Sequence, residues 1–186
     1  HNDIINLINT HQPRLNFNPG RWFSYSNTNY ALLVALIEKI SNQPFEEFLE
    51  QHFFNPYCID EAYVGVDSRK LKNVANGYQR YRRGYIALPP SFHNGALGDK
   101  GIHTNAENLW LWFKALKNHE SLSKSSVEKM FNLDNYQHYN YGMGFRTRLN
   151  HNKKLEIYHD GLWDGFRNGL HYYPDQDLTI ILLSHT

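Results

Sequence analysis

Tyr25, Ser26 and Asn27 stand in a row within "PGRWFSYSNTNYALLVALIEKIS" (residues 19–41), directly ahead of a strongly helical stretch. A phenol can donate or accept a proton, and an amide offers both a donor and an acceptor. Capping a helix needs only one such side chain, and Asn27 or Thr28 suffices for that. Tyr25 therefore asks for another explanation. A second stretch with chemical content is "YHDGLWDGFRNGLHYY" (158–173), where His159, Asp160 and Gly161 end a strand and Gly165 and Gly169 punctuate the return. Glycine at a strand edge permits close backbone approach by another molecule or marks a bulge. Taken singly, His159 reads as a satisfied strand-end histidine.

Two S-x-x-K strings, Ser121 to Lys124 and Ser126 to Lys129, match the spacing at which a lysine one helical turn on activates a serine. Their setting, "SLSKSSVEKMF", reads instead as the wet side of a short surface helix, with Ser123 or Ser125 as cap and Val127, Met130 and Phe131 inward. There is no G-x-S-x-G elbow. The 11 histidines include no H-x-x-x-H pair and no tight cluster with carboxylates, so spacing does not point to a metal, and nothing calls for a cofactor. Residues 69–85 interleave six basic side chains with Tyr78, Tyr81 and Tyr85, a pattern that could stack bases on a cationic surface. With a net charge of +1, it reads as a solvated hairpin, and no nucleic-acid partner is expected.

The elements that would carry these residues follow from turn chemistry and apolar period. Asn18-Pro19-Gly20 is a turn. A helix follows Asn27, with Leu32, Leu33, Leu36, Ile37 and Ile40 on one stripe, and stops at Ser41-Asn42. Pro44 opens a second amphipathic segment with Phe45, Phe48, Leu49 and Phe53 inward, ended by Asn55-Pro56. Residues 60–100 are irregular and strand-like, with a hairpin around Arg82–Gly84. Thr104-x-x-Glu107 reads as a capping box ahead of Leu109, Trp112, Phe113 and Leu116 at helical spacing. A short helix at 124–131 precedes antiparallel strands at 139–149, 155–159, 166–173 and 178–184. The whole reads as one α+β unit, an antiparallel sheet flanked by helices, without repeats or a linker.

Composition bounds the rest. With 186 residues, 41% hydrophobic and 15% aromatic, the chain has core material for one domain burying roughly 70% of its unfolded surface. Nineteen basic against 18 acidic residues name no polyanionic partner. No apolar run nears the 18 or so residues of a membrane helix, and no secretory pattern opens the chain. Cys58 alone excludes an internal disulfide, and "FFNPYCI" suggests a buried thiol. Ile4, Ile5 and Ile8 already fall at helical spacing, while "LTIILLSHT" is apolar on both faces and expects cover from both sides. The chain thus reads as an excised piece.

Taken together, in order and separation, these stretches resemble the penicillin-recognising serine hydrolases, specifically the penicillin-binding proteins and esterases related to class C β-lactamases. The resemblance runs nearly end to end. "FNPGRWFSYSNTNYALLVALIEKISNQPFEEFL" resembles the family's Tyr-x-Asn segment and following helices, and "FFNPYCI" its helix-ending turn. "GALGDKGIHTNAENLWLWFKAL" resembles its Gly-rich loop before a helix, and "HDGLWDGF" with "YYPDQDLTIILLSH" its active-site edge strand and the strands after it. It implies that Tyr25 is the catalytic tyrosine and Asn27 the substrate-contacting amide. His159-Asp160-Gly161 then stands where relatives carry Lys-Thr-Gly or His-x-Gly, and Leu162 offers an oxyanion-hole N–H.

The resemblance also implies what is missing. The family's nucleophilic Ser and its Lys precede the Tyr-x-Asn segment, and the residues before Tyr25 here include Ser24 and no Lys. The chain is therefore expected to be the central and C-terminal part of a single longer domain, 1–186, without the nucleophile region or the closing helix. A free Tyr with pKa near 10 is about one part in a thousand phenolate at pH 7. One Lys⁺ at about 4 Å and an effective dielectric near 20 contributes roughly 4 kcal/mol, enough to bring it near neutrality. Acyl transfer through an acyl-enzyme is the implied reaction, on an ester, amide or D-amino-acid peptide, with β-lactam binding also open. An imidazole of pKa about 6.5 is about one-tenth charged at pH 7.5, so carboxylate clamping by His159 is expected to be weak and pH-dependent. That favours an esterase or D-amino-acid peptidase. The rival is a non-catalytic module binding cell-wall peptide or a protein partner. An extracytoplasmic bacterial location is implied by the resemblance only.

Overall fold

The computed structural model describes residues 2–65, 74–89, 95–132 and 140–185. Contacts group the chain into two compact units, one of residues 1–74 with 90–104, the other of 75–89 with 105–186.

In the first unit, helix α1 (Asn2–His11) keeps Ile4, Ile5 and Ile8 half-buried, as their spacing predicts. Asn18-Pro19-Gly20 forms the expected turn, with Gly20 at φ 75° and the Arg21 N–H donating to the Asn18 carbonyl. Helix α2 (Asn27–Ser41) ends at Asn42, whose left-handed conformation (φ 55°) lets its N–H return to the Glu38 carbonyl. The Glu38 carboxylate then accepts from the N–H of Phe45, which opens α3 (Phe45–Leu49). A π-helical turn (Glu50–Phe54) and a 3-10 turn (Asn55–Tyr57) continue the segment. Short strands β1 (Tyr63–Val64) and β4 (Ile102–His103) pair antiparallel.

Two expectations fail here. The buried face of α2 is Ala31 and Val34, while Leu32, Leu33, Leu36 and Ile40 are exposed. The reason is close approach by the loop containing Gly98: a Cβ there would stand 2.4 Å from the Tyr30 carbonyl oxygen and 2.9 Å from Val34 Cγ2. Only the narrow side of the helix admits a backbone that near. Cys58 is exposed rather than buried, since it caps the 3-10 turn in the left-handed region, φ 54°, and leaves Phe54 and Ile59 to fill the interior.

The second unit holds the expected hairpin, β2 (Tyr78–Tyr81) and β3 (Gly84–Ala87), joined by Arg82-Arg83. Its Tyr81 and Tyr85 are exposed, and the Arg82 guanidinium lies 5.3 Å from the Tyr81 ring centre. Residues 69–73 of the basic stretch lie outside the described residues. Helix α4 (Ala106–Lys117) is capped by Asn105, whose side-chain oxygen accepts from the Asn108 N–H at 2.8 Å, so the cap falls one residue after Thr104. Helix α5 (Lys124–Phe131) starts at Ser123, which caps the Ser126 N–H.

Strands β5 (Arg146–Leu149), β6 (Leu155–Trp163), β7 (Phe166–Tyr173) and β8 (Leu178–Ser184) form an antiparallel meander in that order. The predicted 139–149 strand shrinks to β5 and a lone bridge between Tyr141 and Arg146, with residue 139 outside the described residues. The predicted 155–159 strand instead runs on to Trp163. One sheet face packs on α4 and α5 through Phe113, Leu116, Val127, Phe145, Ile157 and Leu170, each worth roughly 1.5–3 kcal/mol if fully transferred from water. On β8, Ile181 joins this core, whereas Leu178, Ile180 and Leu182 face outward and are exposed. The fold is α+β, an antiparallel sheet with helices on its core face.

Candidate active site

Tyr25 and Asn27 belong to the first unit and His159, Gly161 and Leu162 to the second. Ser26 is the N-cap residue of α2, with extended backbone (φ −145°, ψ 113°) and no side-chain cap bond. Asn27 is the first helical residue rather than the cap. Both it and Tyr25 are exposed, Tyr25 at 45%. The helix start thus holds Tyr25 and Asn27 on either side of Ser26 without using either as a cap.

In the second unit, β5 stops at its pairing of Arg146 with Tyr158, while β7 continues beside β6 to Trp163 and Phe166. His159–Trp163 therefore have a strand on one side only among the described residues. The register runs unbroken through Gly161 and Asn168, so Gly161 is not a bulge. A Cβ at Gly161 would meet only the Asn168 side chain, 3.8 Å from its Cβ and 4.0 Å from its Nδ2, both ordinary contacts. Packing does not require glycine there. What the missing side chain leaves is bare backbone on an open edge, with Leu162 next to it and 67% exposed.

Side chains alternate across the strand, so His159 and Gly161 face a cleft of about 300 Å³ on the core side, together with Leu109, Trp112, Phe145 and Asn168. The His159 Nδ1 lies 2.8 Å from the Asp160 carbonyl oxygen and Nε2 3.0 Å from the Tyr141 hydroxyl. Burial lowers the His159 pKa below the ordinary 6.5 and the Arg146 cation adds to this, against the hydrogen bond to the Asp160 carbonyl and the Asp160 charge. The imidazole is accordingly still less charged near neutrality than its type suggests.

Asp160 faces the other side of the sheet. Its carboxylate meets His171 Nε2 at 2.9 Å, the His171 Nδ1 meets Glu156 at 2.8 Å, and Arg148 grips Glu156 with two bonds of 2.6 and 3.1 Å. Gly169 makes room for this bridge, because a Cβ there would stand 3.1 Å from the Asp160 carboxylate. The buried Glu156 is held at a pKa of about 2, chiefly by its Arg148 hydrogen bond.

Of the serines in S-x-x-K spacing, Ser126 belongs to the α5 cap through its 2.9 Å contact with Ser123, and Lys124 pairs with Glu128 along the helix. Among the described residues no three His, Cys, Asp or Glu side chains gather as a metal set, and no helix is long and apolar enough to cross a membrane. Tyr141 falls in none of the motifs that the sequence presents. Its signal is a tyrosine in "YGMGF" whose Gly142 lies against α5, where a Cβ would stand 2.0 Å from the Met130 carbonyl oxygen.

The chain is 27% identical to penicillin-binding protein 4* of Bacillus subtilis (strain 168), an alignment covering 98% of this chain and 44% of that protein. Its fold matches the octameric penicillin-binding protein homologue from Pyrococcus abyssi with a TM-score of 0.82 at 23% identity, over 99% of this chain and 43% of that one. It also matches a D-stereospecific amidohydrolase from Streptomyces sp., with a TM-score of 0.75 at 22% identity, over 93% and 53%. The chain thus spans less than half of the curated relative. The model of the Beta-lactamase family matches residues 5–186, and the chain is a member of that family.

Proposed function

We propose that this chain supplies the Tyr-x-Asn and His-x-Gly parts of an acyl-transferring serine hydrolase whose nucleophilic serine and lysine lie outside its 186 residues. Membership of the Beta-lactamase family supports serine-hydrolase chemistry in general. The observation that carries the finer reading is the open end of β6, where Gly161 is bare although packing does not require it. A substrate main chain can lie along such an edge as an added strand would.

In this mechanism the serine attacks an acyl carbonyl. Backbone N–H groups, one of them from Leu162, stabilise the tetrahedral oxyanion, an acyl-enzyme forms, and water releases it. Tyr25, activated by the lysine's charge, relays protons to and from the serine and the leaving group. Asn27 orients the substrate amide or ester. The substrate class is an ester, amide or D-amino-acid peptide, a reading to which the amidohydrolase likeness adds fold-level support. An extracytoplasmic location fits this class of enzyme.

The test is a serine-directed fluorophosphonate applied to the protein expressed with its upstream coding sequence. Covalent labelling of one serine upstream of His1, with loss of p-nitrophenyl acetate turnover, is the expected result. Absence of both supports the non-catalytic module instead.

A further inference from the structure

His159 has one nitrogen whose role is fixed by its neighbour. The Asp160 carbonyl can only accept, so Nδ1, 2.8 Å away, carries a proton and donates it. At Nε2 two arrangements remain: the neutral ring accepts from the Tyr141 hydroxyl 3.0 Å away, or the imidazolium donates to it. The surroundings select the first. Leu109 and Trp112 of α4 and Leu170 of β7 share the cleft with the ring, so a charge there would be poorly solvated. Among the described residues, Arg146 and Asp160 are charged groups that act on it. Arg146 lies 5.4 Å from the Tyr141 ring centre and repels an imidazolium, while the Asp160 carboxylate is engaged by His171 on the opposite sheet face.

Tyr141 is built to hold its hydroxyl still. It is 6% exposed, meets the imidazole edge-on at 5.8 Å between ring centres, and bridges to Arg146 at the start of β5. Gly142, against the Met130 carbonyl, lets the loop pass close enough to α5 to place it.

We propose that Tyr141 is a positioning residue of the acyl-transfer site: its hydroxyl donates to Nε2 of His159 and holds the imidazole as the neutral, Nδ1-protonated tautomer. The open end of β6 therefore receives acyl groups that carry no anionic carboxylate. The substrate half of this proposal rests on the acyl-transfer reading, whereas the tautomer half does not. A carboxylate brought there would find both polar atoms of the imidazole already engaged within the chain and no imidazolium to offset its desolvation.

The tautomer is read on the ¹⁵N-labelled chain by long-range ¹H–¹⁵N correlation of the histidines between pH 5 and 8. Expected at pH 7 is a pyrrole-type Nδ1 and a pyridine-type Nε2 for His159, with a titration midpoint below 6.5. Tyr141→Phe removes the donor to the lone pair, so the midpoint should rise by about half a pH unit or more. An Nε2-protonated or cationic ring at pH 7 in the unaltered chain, or a folded Tyr141→Phe with an unmoved midpoint, overturns Tyr141's role. If Tyr141→Phe does not fold, the tautomer of the unaltered chain decides alone.

The substrate half is read on the protein with its upstream coding sequence. There, p-nitrophenyl acetate should exceed mono-p-nitrophenyl succinate at least about tenfold in kcat/KM at pH 7.5. Equal rates overturn the exclusion of carboxylates. Turnover of neither ester defeats the acyl-transfer reading and the substrate half with it, and leaves the tautomer result standing by itself.

Discussion

Gly165 presses its bare α-carbon against the backbone of Tyr78: a Cβ there would stand 2.4 Å from the Tyr78 nitrogen and 2.5 Å from its carbonyl oxygen. The contact joins the tip of the β6–β7 hairpin to the start of β2, and Gly165 also sits at φ 82°. On the other side, a Cβ at Gly77 would stand 1.9 Å from the Asp164 carbonyl oxygen. Two glycines thus let two hairpins touch backbone to backbone.

Gly165→Ala is expected to destabilise the chain by about 2–4 kcal/mol, because the clash with backbone and the positive φ act together. Urea unfolding of the two proteins, with m unchanged, checks this. A loss below about 0.5 kcal/mol would mean that the hairpins are not held together there.

Gly161→Ala should leave stability within about 0.5 kcal/mol of the parent, since the added methyl finds ordinary contact room. In the protein with its upstream coding sequence it should nevertheless lower kcat/KM for p-nitrophenyl acetate at least about tenfold, because the methyl enters the cleft beside the strand edge. Loss of stability without loss of activity would reverse the reading of that glycine.

Glu156 gives a pH dependence of stability with a defined sign. Its folded pKa of about 2 is depressed from 4.5, so the stabilisation is fully present above pH 4.5 and is lost as pH falls toward 2. Glu156→Gln should cost about 1–3 kcal/mol at pH 6 and flatten the stability curve between pH 4.5 and 2. Parallel curves for the two proteins over that window would contradict the Arg148–Glu156–His171 account.

The isolated 186-residue chain should not turn over activated esters, because Ser126 is engaged in the α5 cap and the Ser121 hydroxyl is buried in the turn before that helix. Turnover that is abolished by Ser121→Ala or Ser126→Ala would place the nucleophile inside the chain.

Much of this arrangement is legible in the sequence where pattern and punctuation agree. Strands β7 and β8 and helix α5 fall on their expected residues because alternation or helical spacing is bounded by Asp164-Gly165, by Pro174–Asp177 and by a serine cap. The face of α2 is not legible. Its apolar arc is broad, and the choice of Ala31 and Val34 over the leucines depends on a backbone approach by Gly98, far along the chain. The α4 cap fails by one residue because Thr104 and Asn105 are both competent acceptors. Tyr25, Asn27, His159, Gly161 and Leu162 are proposed as site residues on the resemblance alone. Tyr141 escapes because its partner is 18 residues away and only the fold brings them together.

In the proposed function Tyr25 serves as the proton relay of an acyl-enzyme reaction. It is tested most directly by the pre-steady-state release of p-nitrophenol from p-nitrophenyl acetate by the protein carrying its upstream coding sequence, unaltered and as Tyr25→Phe. The account predicts a stoichiometric burst in the unaltered protein and an acylation rate at least about a hundredfold lower in the folded Tyr25→Phe protein. No burst, or an acylation rate unchanged by the loss of the hydroxyl, would contradict it.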